Sequence, residues 1–155
     1  KFSQSVKYIQ LLSYGKLVTS YESNNTFQVW NYFNGELIQS INNIDTIDYM
    51  VTLEYGAIVC GSGNQKIRVY DGLTYNIAKT YTMPNCVSMT SMNALNVSLI
   101  GVGCQNFFIL INLAIYGQTI TINGINSAQV TSFILFQETL YTSFRNSTGT
   151  YLTKW

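Results

Sequence analysis

The chain reads as an all-β protein made of one four-stranded antiparallel unit that occurs nearly four times. Three observations predict this. Stretches of sequence match one another at an offset of about 40 residues. Within each stretch, β-branched and aromatic residues alternate with polar ones, which is the period of a strand with one buried face. Turn residues recur every 8 to 12 or so positions, and no helical period competes with them.

The first two quarters carry the match most clearly. Tyr8, Leu12, Tyr14 and Gly15 align with Tyr49, Leu53, Tyr55 and Gly56. Leu17-Val18 then aligns with Ile58-Val59, and Thr26 to Asn31 with Lys66 to Asp71. In the third quarter Gly101 and Gly103 follow Gly61 and Gly63, while Phe107 and Ile109 follow Ile67 and Val69. The fourth quarter opens at Val130-Thr131-Ser132-Phe133 and ends on Trp155.

The expected strands are 6–12, 16–21, 26–31 and 36–41 in the first quarter, and 47–53, 57–61, 66–70 and 77–82 in the second. The third has 87–94, 97–103, 107–111 and 118–122, and the fourth has three strands before the chain stops at Trp155. The single proline, Pro84, falls in the linker between the second and third quarters, where a missing backbone donor breaks no ladder. The register places Trp30, Tyr70, Leu110 and Trp155 at equivalent positions on the third strand of successive units.

The stretch Gly61 to Asp71 is a small-residue turn, an alternating strand and then an aromatic residue followed by Asp. It resembles the end of a WD repeat, and the resemblance extends in weaker form over nearly the whole chain. It implies a partial β-propeller of nearly four four-stranded antiparallel blades, about 5–41, 46–83, 87–122 and 130–155, the last lacking its outer strand. Propellers usually have 4 to 8 blades of about 40 to 45 residues, so the chain is expected to be one propeller segment of something longer. The chain has no histidine, so the Gly-His element of such repeats, and the His-Asp-Trp network it feeds, are absent.

Composition narrows the functional classes. Hydrophobic residues make up 47% of the 155 and charged residues only 10%. The polar remainder is uncharged, with 12 tyrosines, which suits close packing against partners. Eight basic against seven acidic side chains give no field to draw nucleic acid or an anionic membrane. The apolar runs are far shorter than the roughly 20 residues that span a bilayer, so no membrane insertion is expected. Without histidine there is no Ser-His-Asp or Cys-His catalysis, and the commonest zinc ligand is missing.

Few residues invite chemistry. Asp45 and Asp48 are read as a solvated loop rather than a metal or acid-base pair, and Asp71 as a turn cap. Gly61-Ser62-Gly63 and Gly101-Val102-Gly103 lack the following helix that a phosphate loop needs. The tyrosines at 8, 14, 21, 49, 55 and 70 read as packing and rim residues rather than a sugar-stacking face. Sequons stand at Asn24, Asn96 and Asn146, each in an expected turn.

The three cysteines admit two readings. Cys86 and Cys104 lie at mirrored positions about the turn near Leu95-Asn96, which brings them together as a disulfide and leaves Cys60 a buried thiol. Alternatively all three are thiols in a reducing compartment. A cytoplasmic scaffold and a secreted or surface protein are both consistent with the sequence.

These readings converge on a non-catalytic protein-interaction scaffold or assembly module with no cofactor. The alternative is a structural subunit of an extracellular or cell-surface assembly, such as a filament, whose open blade a neighbouring chain completes. In either case other protein chains, or further blades of the same chain, are expected at the open edge Thr150 to Trp155.

Overall fold

The computed structural model describes residues 5–22, 25–42, 45–114, 118–123 and 128–155. Asn24 and the first four residues lie outside this set. The described residues form fifteen strands and no helix: β1 (Val6–Leu12), β2 (Lys16–Tyr21), β3 (Thr26–Asn31), β4 (Leu37–Asn42), β5 (Tyr49–Thr52), β6 (Ile58–Ser62), β7 (Lys66–Tyr70), β8 (Ile77–Thr82), β9 (Met89–Ala94), β10 (Leu99–Cys104), β11 (Phe107–Asn112), β12 (Gln118–Asn123), β13 (Gln129–Phe136), β14 (Thr139–Asn146) and β15 (Gly149–Lys154).

They assemble in chain order into sheet 1 (β1 to β4), sheet 2 (β5 to β8), sheet 3 (β9 to β12) and sheet 4 (β13 to β15), all antiparallel. Each strand pairs with its sequence neighbour, because short turns let adjacent strands meet without a crossover. The chain divides into two compact units, Lys1–Met83 and Pro84–Trp155.

In the first unit, Val18, Phe27 and Val29 of sheet 1 pack with Met50, Ile58, Cys60 and Tyr70 of sheet 2. The innermost strands are also tied side chain to backbone. Tyr8 donates to the Asp48 carbonyl at 2.5 Å, and Thr52 to the Leu11 carbonyl at 2.8 Å. Ser13 donates to the Glu54 carbonyl at 2.6 Å. These spans of 40 and 41 residues are the sequence repeat expressed as hydrogen bonds.

The second unit repeats the device. Thr90 and Ser91 donate to the Val130 carbonyl, and Asn93 to the Phe133 carbonyl at 3.1 Å. Gly101 and Gly103 let β13 approach β10 closely. A Cβ on Gly101 would strike the Phe133 ring, and one on Gly103 the Ser91 hydroxyl and Val130. Those glycines therefore serve packing between strands.

Two expected strands are shorter than the sequence pattern. The innermost strands of sheets 2 and 3 start at Tyr49 and Met89, about two residues later than alternation alone implies.

Candidate functional site

Among the described residues, what stands out is a set of polar contacts, some of them buried, on one face of sheets 1, 2 and 4. Residues directly opposite across a ladder share a face, so cross-strand rows can be read off the register. In sheet 1 two rows lie on one face: Ile9, Thr19, Gln28 and Ser40; then Leu11, Leu17, Trp30 and Leu37. In sheet 2 the corresponding rows are Met50, Cys60, Arg68 and Thr80; then Thr52, Ile58, Tyr70 and Ile77.

In sheet 1 the rows carry a hydrogen-bonded chain. The Trp30 indole N–H donates to Thr19 Oγ1 at 2.9 Å. Thr19 donates to the Tyr21 hydroxyl at 3.3 Å, Tyr21 donates to Gln28 Oε1, and Gln28 Nε2 donates to Ser40 Oγ at 3.0 Å. Sheet 4 repeats the first link: the Trp155 indole donates to Thr142 Oγ1 at 2.7 Å, and both threonines are fully buried. A buried hydroxyl needs a partner, and here the indole N–H of a partly exposed tryptophan supplies it. The network that lacks histidine is thus closed by hydroxyls and an amide.

Sheet 2 solves the same problem with charge. Arg68 stands where sheet 1 has Gln28, with its side chain only 4% exposed. It forms an ion pair with Asp45, whose other oxygen accepts from Asn64 Nδ2 at 2.5 Å. Burial pushes the Asp45 carboxyl up, but the hydrogen bonds from Arg68 and Asn64 and the Arg68 charge outweigh it and hold the group below its ordinary value. Asp45 is therefore the partly exposed partner of a buried arginine and more than a solvated loop residue. Sequence reading missed this because Arg68 sits in plain polar alternation. The one available signal was that Arg68 follows Gln28 in the repeat, at a position facing the neighbouring blade.

Asp48 is also engaged locally. It accepts from the Gly63 N–H at 2.5 Å and lies 3.7 Å from Lys7 Nζ. Asp71 accepts from the Thr74 and Leu73 amides and the Thr74 hydroxyl, and those bonds lower its carboxyl. Asn31 and Asn112 cap the same turn by accepting from the Phe33 and Ala114 amides.

These caps correct the register. Asn31, Asp71 and Asn112 are equivalent, so Ile111, and not Leu110, stands with Trp30 and Tyr70. The ladder agrees: Ile111 faces Ile100, whereas Leu110 faces Gly101. Trp155 follows the last residue of β15, with its amide bonded to the Leu140 carbonyl.

The tyrosines do not form one face. Tyr21 and Tyr70 are buried, while Tyr14 and Tyr55 are exposed. Cys86 and Cys104 are joined by a disulfide, their Cα atoms 5.5 Å apart. The mirrored-position argument is off by about three residues, because the β9–β10 ladder folds about Val97 and not about Leu95-Asn96, which sets Cys104 opposite Met89 and leaves Cys86 on the loop before β9. Cys60 is a buried free thiol, and burial raises it from 9.0 to about 12. Asn96 is exposed and Asn146 half-buried, and each accepts backbone amides within its own turn. Sheet 4 ends at β15, which pairs with β14 alone among the described residues.

No protein-family profile matches the chain, and no curated protein matches it in sequence. In the solved structures the chain is similar to the crystal structure of RRP9 WD40 repeats, with a TM-score of 0.76 at 12% identity. The match covers 92% of this chain and 46% of that one, so the chain spans under half the length of this structural relative. At this identity the likeness shows the fold: a partial propeller of WD-repeat-like antiparallel blades, three four-stranded and the last three-stranded.

Proposed function

We propose that this protein is a non-catalytic interaction scaffold that recruits another polypeptide by strand addition to β15. The fold supports the general class, since repeat propellers present blade edges and loops to protein partners. The observation that carries the finer reading is the outer edge of sheet 4. The Trp155 amide points inward to Leu140, so in an antiparallel ladder the amides of Thr150, Leu152 and Lys154 point outward. Unpaired outward amides are a template for a further strand. The four sheets then act as consecutive blades of one propeller segment.

Replacing Leu152 with Pro tests this. The substitution removes one outward donor and leaves the β14 ladder intact, which edge strands tolerate. Wild-type and Leu152→Pro proteins serve as baits for partners from the native source. Recovery of the partner falls at least tenfold while the circular dichroism spectrum is unchanged. Equal recovery with both baits refutes strand addition at this edge.

A second reading puts the same module in a secreted or cell-surface assembly. The Cys86–Cys104 disulfide favours it, since such bonds persist in oxidising compartments. Glycans on Asn96 and Asn146, and on Asn24, would accompany it. Intact mass of the native chain before and after deglycosylation decides: added mass that the enzyme removes supports this reading, and an unmodified chain refutes it.

A further inference from the structure

The turns at one end of sheets 1 and 2 form a second surface, built wholly within the first unit and separate from the β15 edge. The β1–β2 turn sits at its middle. Ser13 of that turn donates to the Glu54 carbonyl of the β5–β6 turn at 2.6 Å. The Gly15 carbonyl accepts from the Tyr32 amide of the β3–β4 turn at 2.8 Å. A Cβ on Gly15 would strike the Phe33 ring, so that ring lies across the turn. The β7–β8 turn joins on the other side, where Gly72 abuts the Gly56 carbonyl.

Rings crowd this surface without being buried by it. Tyr14, Tyr32, Phe33 and Tyr55 are 57% to 83% exposed, and Leu73 is 69% exposed. Tyr32 and Phe33 meet edge-on, with ring centroids 5.5 Å apart. Tyr14 is held at φ 63°, a left-handed conformation that a bulky residue seldom adopts and that here brings its ring almost no burial. Single exposed apolar residues are ordinary, but rings gathered on adjoining turns make a patch.

The charge in these turns has one sign. Glu36, Glu54 and Asp71 are exposed there, and among the described residues none of them is in an ion pair. Two are oriented by local hydrogen bonds: Glu36 accepts from Asn34 Nδ2 at 2.8 Å, and Asp71 from the Leu73 and Thr74 amides. The turns themselves contain no lysine or arginine. Lys16, which opens β2, is already committed: its ammonium donates to the Tyr75 hydroxyl at 2.8 Å and stands over that ring.

We propose that this surface binds an arginine-bearing segment of another polypeptide. A guanidinium stacks flat on an aromatic ring and pairs with a carboxylate, so one side chain complements both features of the patch. Lysine fits less well, because its compact and strongly hydrated ammonium makes no planar stack. A neutral sugar would use the rings and leave the carboxylates without a counter-charge. An acidic ligand would be repelled by them.

Nuclear magnetic resonance titration of the isotope-labelled protein with a capped peptide of alternating glycine and arginine tests the proposal. The amide resonances of Tyr14, Tyr32, Phe33 and Tyr55 should shift, and affinity should fall as salt is added. The matching glycine–lysine peptide should bind at least threefold more weakly. Tyr14→Ala combined with Phe33→Ala should weaken the arginine peptide at least fivefold with an unchanged circular dichroism spectrum, since both side chains are exposed. Glu54→Gln, which alters no ring, should weaken it as well and flatten the salt dependence. Tyr151→Ala, at an exposed ring of sheet 4, and Leu152→Pro should leave binding unchanged. No shift at these amides with millimolar arginine peptide overturns the proposal. So does equal binding of the lysine peptide, or an affinity that the double variant leaves intact. Shifts at the same amides with cellohexaose, and none with the arginine peptide, overturn it in favour of sugar stacking.

Discussion

Removing the Asp45 carboxylate should cost this protein more stability than any exposed substitution. Asp45→Ala leaves the Arg68 guanidinium 4% exposed and without its ion-pair partner. Breaking a buried pair from one side typically costs about 3–5 kcal/mol. Asp45 itself keeps 17% exposure, so water screens part of the loss, and about 3 kcal/mol is expected. That is a large share of a stability of roughly 5–15 kcal/mol. The double variant Asp45→Leu with Arg68→Met should recover most of it, because well-packed apolar residues replace a buried pair at little cost. The pair also sets a pH dependence. The folded Asp45 carboxyl lies below its unfolded value of 3.8, so its contribution is complete above about pH 4 and is lost as pH falls through the lower folded value. Urea unfolding, read by Trp30 fluorescence at pH 7 and across the acid range, measures both effects. A loss under about 1 kcal/mol for Asp45→Ala, or a double variant no more stable than the single, refutes the buried-pair account.

Reduction of the Cys86–Cys104 bond should destabilise the second unit by roughly 2–4 kcal/mol, given the 18-residue separation. With one tryptophan in each unit, a Trp155-only variant should register the loss and a Trp30-only variant should not. Thr142→Val removes the acceptor of the Trp155 indole and should cost about 1–3 kcal/mol, with a shift in emission, while the near-isosteric Ser retains both the bond and most of the stability. Cys60 should resist thiol reagents at pH 8 in the folded protein and react on unfolding. Because its folded thiol is raised from 9.0 to about 12, stability should fall as pH rises from about 9, and Cys60→Ala should reduce that slope to the part the raised tyrosines contribute above about pH 10. Gly72→Ala drives a Cβ into the Gly56 carbonyl, which is backbone and cannot swing aside. Its loss of stability should exceed that of Gly35→Ala, whose Cβ meets nothing.

The sequence by itself determined the repeat, the antiparallel strand order and the missing outer strand of the last blade. Those features depend on local alternation and turn chemistry, which act over a few residues and leave a period that can be counted. The tertiary structure decided whatever turns on one residue of slip or on a partner far along the chain. The turn cap at Asn112 and the ladder of sheet 3 place Ile111, and not Leu110, at the position of Trp30 and Tyr70. The β9–β10 ladder folds about Val97, which sets Cys104 opposite Met89 and leaves the disulfide to reach Cys86 on a loop. Arg68 reads as a solvated lysine-like residue until sheet 1 closes over its row, and only then must Asp45 neutralise it. Alternation specifies which face of a strand turns inward, but the cost of burying a charge is set by what lies across that face.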